Sequence, residues 1–284
     1  MRNGIAGIDH VIIGVRDLEA ARESWSRLGF SPTPRGRHIG QGTGNYCIMF
    51  GPNYLELLGV VDPAEGAHRL ARFLAEREGP MGLAFAPAGS PEAVREALLR
   101  RGCHPSEPRP LGRRIELPEG DAIPRFSLLA LPPEETPGLD SFVCCHLTPE
   151  LMRRPEWLAH ANGVSALNAI HVLVADTAPL LPAYDRLLGM PQVTTTDAVA
   201  LVHAGGQRIV FSTPDDFLTM HPGLALALDM PLPAIAALEL AVGRLRQTAD
   251  YLASRGIAFD EMPHRSLAVG PGEATGAILI FSEE

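Results

Sequence analysis

Apolar and polar positions along the chain fall into a cycle of strand, helix and further strands that recurs four times. In the first cycle, residues 8–15 form a run rich in β-branched side chains, as a strand requires. Asp17 is placed to cap a helix from Leu18, and Leu18, Ala21, Trp25 and Leu28 share one helical face by their three- and four-residue spacings. Gly29 ends that helix, and Gly and Pro punctuation separates strand candidates at 37–39, 46–50 and 54–59. The second cycle opens at 81–86. Ser90 caps its helix, Pro91 takes the first helical position and Gly102 closes it, with strands predicted near 114–117, 126–131 and 142–146. The third has a strand at 169–174, a helix over 180–188 and strands near 199–202 and 208–211. The fourth has a strand at 238–242, a helix carrying Leu245, Ala249 and Leu252, and strands near 259–262, 267–269 and 277–281. The helix-ending tags Leu28-Gly29-Phe30, Arg101-Gly102-Cys103, Leu188-Gly189-Met190 and Arg255-Gly256-Ile257 repeat the same punctuation.

Alternation of strands and helices also describes a doubly wound parallel sheet. Here, however, two or three closely spaced strands follow each helix, which suits antiparallel meanders, and no glycine-rich phosphate loop follows a strand. The expected fold is therefore α+β, built from repeated βαβββ modules. The expected division is one module pair over 1–147, a linker over 148–166 and a second, degenerate pair over 167–284.

Composition narrows the function classes. Hydrophobic residues make up 46% and charged residues 20%, as in ordinary globular chains, and only 6% are aromatic, so the core should be mainly aliphatic. A net charge of -9 disfavours nucleic acid and anionic membrane as partners. No apolar run approaches the ~20 residues of a membrane helix, and no apolar leader opens the chain. The four cysteines form no C-x-x-C pair and read as reduced, so a cytoplasmic location is expected. Cys144 and Cys145 fall in an apolar strand where burial makes thiols inert. Cys145 and His146, as successive strand residues, should point to opposite faces.

The segments Asp9-His10, Gly36-Arg37-His38, Gly42-Thr43-Gly44-Asn45 and Tyr54-Leu55-Glu56-Leu57-Leu58-Gly59 together resemble the glyoxalase-like family of the vicinal oxygen chelate superfamily. So do His146-Leu147-Thr148-Pro149 and Arg154-Pro155-Glu156-Trp157 with the Asn162-Gly163 turn. The resemblance covers roughly the first 170 residues. It implies paired modules curling into half-barrels around a divalent metal, with a small-molecule substrate and possible homodimers. Known relatives include glyoxalase I, extradiol dioxygenases and bleomycin-binding proteins.

On that resemblance the metal ligands would be His10, in the first strand, Glu56, in the last strand of the same module, and His146, at the end of the last strand of module two. Two imidazoles and a carboxylate leave coordination positions open and suit Fe2+, Zn2+, Mn2+ or Ni2+. Glu56 would double as a base if it detached. His38 is a candidate acid or base, and Asn45 and Trp157 are candidate substrate contacts. Each also has a plainer reading: a strand histidine satisfied in the core, a glutamate paired with an arginine, a turn at Gly42–Asn45, a packing tryptophan. His171 repeats the position of His10 in module three, but Ile209 and Val210 stand where a partner for it would fall, and Glu239 is out of phase by about one residue. Two expectations follow: a metal-dependent lyase, isomerase or dioxygenase acting on vicinal oxygens, or a non-catalytic protein that sequesters a small molecule.

Overall fold

The computed structural model describes residues 4–189, 192–224 and 230–283; Met190, the last residue of the third helix-ending tag, lies outside them. The first module runs β1 (Ile5–Gly14), α1 (Leu18–Arg27), β2 (Gly36–His38), β3 (Thr43–Met49) and β4 (Tyr54–Val60). After α2 (His68–Glu76), the second runs β5 (Gly79–Pro87), α3 (Pro91–Arg100), β6 (Arg109–Ile115), β7 (Arg125–Ala130) and β8 (Ser141–His146). The third comprises β9 (Val164–Leu173), α4 (Leu181–Leu188), β10 (Val193–Thr195), β11 (Val199–Ala204) and β12 (Gln207–Ser212). After α5 (Pro214–Met220), the fourth comprises β13 (Ala234–Val242), α6 (Leu245–Ser254), β14 (Asp260–Met262), β15 (Ser266–Val269) and β16 (Ile278–Glu283).

The α+β architecture of repeated βαβββ modules is what the repeat predicts. In each module the first strand pairs parallel with the last, as β1 with β4 and β5 with β8. Modules join through antiparallel seams. β1 pairs with β5 and β2 with β6, so the first two modules close into an eight-stranded barrel of order β1-β4-β3-β2-β6-β7-β8-β5. Only closure removes every sheet edge. The last two modules join through β9 and β13 into an open eight-stranded sheet ending in β10 and β14.

The capping chemistry is as predicted. Asp17 accepts from the amides of Glu19 and Ala20, and Ser90 accepts from that of Ala93. Other details differ from the sequence reading. β9 opens at Val164, inside the stretch read as a linker, and two short 3-10 turns fill the rest. Thr43, Gly44 and Asn45, open to a turn reading, are strand residues of β3. α2 and α5 were not predicted.

The largest hydrophobic cluster draws on both halves, among them Trp25, Leu28 and Phe85 from the first and Tyr184, Phe211 and Phe281 from the second. A second cluster lies inside the barrel and includes Met49, Tyr54, Phe126, Cys144, Met152 and Trp157. Alternation along β8 explains the split: Cys144 belongs to the barrel interior, and Val143 and Cys145 to the shared core outside.

Candidate active site

A β-bulge organises the centre of the barrel. Between Ile8, opposite Phe85, and His10, opposite Ala84, β1 advances two residues while β5 advances one, so Asp9 is the extra residue. Bulging lets two consecutive side chains, Asp9 and His10, join one buried network. Asp9 Oδ2 lies 2.7 Å from His10 Nδ1 and 3.0 Å from His146 Nε2. Burial works against its ionisation, but hydrogen bonds from His10 and His146 outweigh it and hold the carboxyl well below the usual range. An ionised carboxylate only accepts, so His10 Nδ1 carries the proton and Nε2 is the nitrogen turned into the barrel. That nitrogen stands 3.6 Å from Glu56 Oε2, while the ring stacks on Tyr54 with centroids 4.4 Å apart.

Glu56 is braced from its other side. Asn45 Nδ2 donates to Oε1 at 2.5 Å, and His38 Nε2 lies 3.5 Å from the same oxygen. Burial opposes its charge, yet His38, His10 and the Asn45 donor together lower its pKa, so Glu56 is a carboxylate at neutral pH. His38 Nδ1 is bound to Thr43 Oγ1 at 2.9 Å. Burial pushes the His38 pKa down to about 4, against the pull of Glu56, leaving a neutral imidazole near neutral pH. The result is a line of groups running His146, Asp9, His10, Glu56 and then Asn45 with His38.

The network opens onto a cavity of about 440 Å³ inside the barrel, lined by His10, His38, Glu56, Arg113, Cys144 and the rings of Tyr54, Phe126 and Phe142 among others. At its rim Arg69 pairs with Asp140. A small molecule fits a chamber of this size, with apolar walls and a few convergent polar groups.

His10, Glu56, His38 and Asn45 therefore come together, though Asn45 touches the carboxylate rather than lining the cavity. His146 meets the network through Asp9, not Glu56, and its Nδ1 is buried with no partner among the described residues. Trp157 is 8% exposed and packs with Met49, Tyr54 and Met152 beyond the chamber wall, under the Arg154 guanidinium. Asp9, Cys144 and His146 hold ligand atoms all within 4.8 Å of one another. Sequence reasoning passed over Cys144, although two residues before His146 on one strand means the same face. Asp9 stood in the segment that carries the family resemblance, but its inward turn depends on the bulge and has no signal in the alternation.

In the second half, His171 occupies the place of His10 and is buried with neither ring nitrogen at hydrogen-bond distance from a partner among the described residues. The reading that no carboxylate matches it needs correction: Glu239 Oε2 stands 3.8 Å from His171 Nε2, because a bulge between Ile235 and Ala237 shifts the phase of β13 by one residue. Arg208 at 2.9 Å and Ser282 at 3.1 Å both hold the other oxygen of Glu239.

The glyoxalase-like domain family model matches residues 8–188, more than half of the chain, and the chain belongs to that family within the vicinal oxygen chelate superfamily. Among solved structures, one described as a hypothetical protein from Staphylococcus aureus aligns with 98% of this chain and 99% of its own, with a TM-score of 0.70 at 13% identity. A mutant of 4-hydroxymandelate synthase from Streptomyces coelicolor aligns with 99% of this chain and 93% of its own, at TM-score 0.60 and 16% identity. A xylose isomerase-like TIM barrel/4-hydroxyphenylpyruvate dioxygenase fusion protein covers 99% of this chain with half of its own, at TM-score 0.50 and 11% identity. At these identities the likeness is one of fold. No curated protein sequence matches the chain. No helix among the described residues is long and apolar enough to cross a membrane.

Proposed function

We propose that the first barrel is the chamber of a metal-dependent enzyme acting on a small molecule with two vicinal oxygens. The observation that carries this reading is the pinning of His10 by Asp9, which sets Nε2 toward an ionised Glu56 at 3.6 Å on the wall of the barrel cavity. A carboxylate behind a histidine, fixing its tautomer and orientation, is the usual support of a metal-ligating imidazole. Two ligands about 2.0–2.2 Å from one ion stand roughly 3–3.5 Å apart, so the His10–Glu56 separation suits a shared divalent cation. The donor set of imidazole and carboxylate admits Fe2+, Zn2+, Mn2+ or Ni2+.

A third donor from β8 would have to approach, because Cys144 and His146 group their ligand atoms with Asp9 and not with both His10 and Glu56. Of the three ligands expected from the sequence, His146 holds Asp9 through Nε2, keeps Nδ1 free and is not among the residues lining the chamber, whereas Cys144 lines it. When bound, the ion would polarise adjacent oxygens of the substrate and stabilise the negative charge that develops on them. The residues around it orient and move protons. His38, neutral at physiological pH, can accept one from the substrate, and Asn45 holds Glu56 in place while Tyr54, Phe126 and Phe142 exclude water. That a synthase and a dioxygenase fusion protein share this fold agrees with an enzymatic use of it. The apolar walls also suit a protein that only sequesters its ligand, and the same experiment separates the two.

Elemental analysis of the purified protein should give near-stoichiometric metal, lost in a His10→Ala, Glu56→Ala double variant. Absence of metal from the native protein after incubation with each of the four ions would sink the enzyme reading and leave sequestration.

A further inference from the structure

Arg113 on β6 is 2% exposed, lines the chamber, and has no carboxylate within ion-pair distance among the described residues. Its Nη1 meets Cys47 Sγ at 2.9 Å and its Nη2 meets Met152 Sδ at 2.5 Å, while Nε is buried with no partner. Sulfur is a weak acceptor. Cys47 does not supply an anion either, because burial pushes its thiol up to about 11. The ionised Glu56 attracts the guanidinium from a distance but does not contact it, and a permanent charge whose direct contacts are a thioether and a thiol gains further when an anion binds it. The side chain is nevertheless held in place. The Phe126 ring lies 5.8 Å from its guanidinium carbon, and its aliphatic stem passes so close to Gly36 that a Cβ there would come within 3.0 Å of it.

We propose that Arg113 is an anion subsite of the chamber and that the ligand is a small, largely apolar carboxylate whose carboxyl group this guanidinium binds. One cation suits a monoanion, and the surrounding aromatic and aliphatic walls suit an apolar body. The inference names the substrate class of the proposed site. It rests on the barrel being a ligand chamber and is separable from the metal.

Calorimetric titration of the full chain with benzoate and with its neutral isostere benzamide tests it, in the protein as purified and after chelation of divalent metal. Benzoate should bind at least about tenfold more tightly, the scale of a charge-assisted hydrogen bond. The preference should survive chelation, weaken in Arg113→Lys and vanish in Arg113→Met, with benzamide binding unchanged. The Nε–H resonance of Arg113 in the native protein should shift with benzoate and stay put with benzamide, a readout that needs no variant to fold. Equal affinities, no benzoate binding at millimolar concentration, or a preference retained in Arg113→Met would overturn the subsite. A preference abolished by chelation yet indifferent to Arg113 would assign the carboxyl group to the metal, leaving the proposed function standing and this inference refuted.

Discussion

At the scale of single residues, the site works by bracing, and each brace can be removed on its own. Asp9 fixes the ring of His10 through Nδ1. Asp9→Asn keeps a side chain of the same shape but removes the charge that both imidazoles face. It should lower metal affinity by about 10–100-fold, the usual effect of losing a carboxylate behind a ligating histidine. Competition against a chromophoric chelator reads this directly, and an unchanged affinity would move the ion away from His10. Gly36 is a second such point. A Cβ there would lie 2.1 Å from Asn45 Oδ1 and 3.0 Å from Arg113 Cδ, so Gly36→Ala must displace the amide that holds Glu56. With that donor withdrawn the Glu56 pKa rises, because burial is then less well opposed. The expected outcome is impaired metal retention in a protein that still unfolds cooperatively. Full metal content in Gly36→Ala would show that the Asn45 brace is dispensable.

At the scale of elements, what the sequence made legible was whatever local chemistry encodes. Asp17 and Ser90 announced α1 and α3 because a capping oxygen before an apolar helical stripe has few other uses. Asp17 receives two amide donors, so Asp17→Ala should cost about 1 kcal/mol, within the 0.5–2 kcal/mol of lost N-caps. Urea unfolding measures it, and a midpoint equal to the native one would deny the cap any net effect. The helix α2 was invisible for the complementary reason: its N-cap is Ala67, in a left-handed conformation with no side-chain hydrogen bond. In contrast, α5 carried a signal that was passed over, Thr213 capping through Oγ1 with Pro214 in the first turn. Strand phase was the harder problem. The family resemblance singled out His10, Glu56 and His146, but the bulges on β1 and β13 each change the count by one. Those two residues of slip are why Asp9 was given no role beside His10 and Glu239 looked misplaced. Arg113 was hidden differently, since the strand predicted near 114–117 starts after it, whereas β6 spans Arg109–Ile115 and closure of the barrel buries Arg113.

At the scale of the whole molecule, the two halves are coupled through polar contacts at their seam as well as through the shared core. The Asn53 side chain, fully buried, donates to Leu167 O and accepts from Leu167 N, both at 2.9 Å, in the manner of one more β-bridge onto β9. Asn53→Ala leaves both backbone groups buried and unpaired, which should cost on the order of 2–4 kcal/mol. A loss below about 0.5 kcal/mol would mean that water replaces the amide. His160 ties the connecting segment to the first barrel in the same way. Its Nδ1 accepts from the Ser31 amide at 3.0 Å, and its Nε2 donates to Met49 O at 2.9 Å, an arrangement available only to the neutral ring. Burial lowers its pKa, with the Met49 carbonyl pulling weakly the other way, so the folded value lies below the 6.5 of the unfolded chain. As pH falls through the unfolded value, the unfolded state takes up a proton that the folded state refuses. Stability is therefore present above that pH and is lost progressively below it. His160→Gln retains an acceptor and a donor but does not titrate. Between about pH 8 and about pH 5 the native protein should lose more of its urea midpoint than the variant does, even if the variant starts lower. Other buried histidines, His38 and His221 among them, contribute equally to both proteins, so the difference between the two profiles isolates His160. Parallel profiles would show that the His160 ring contributes only its packing against Phe30 and Phe50.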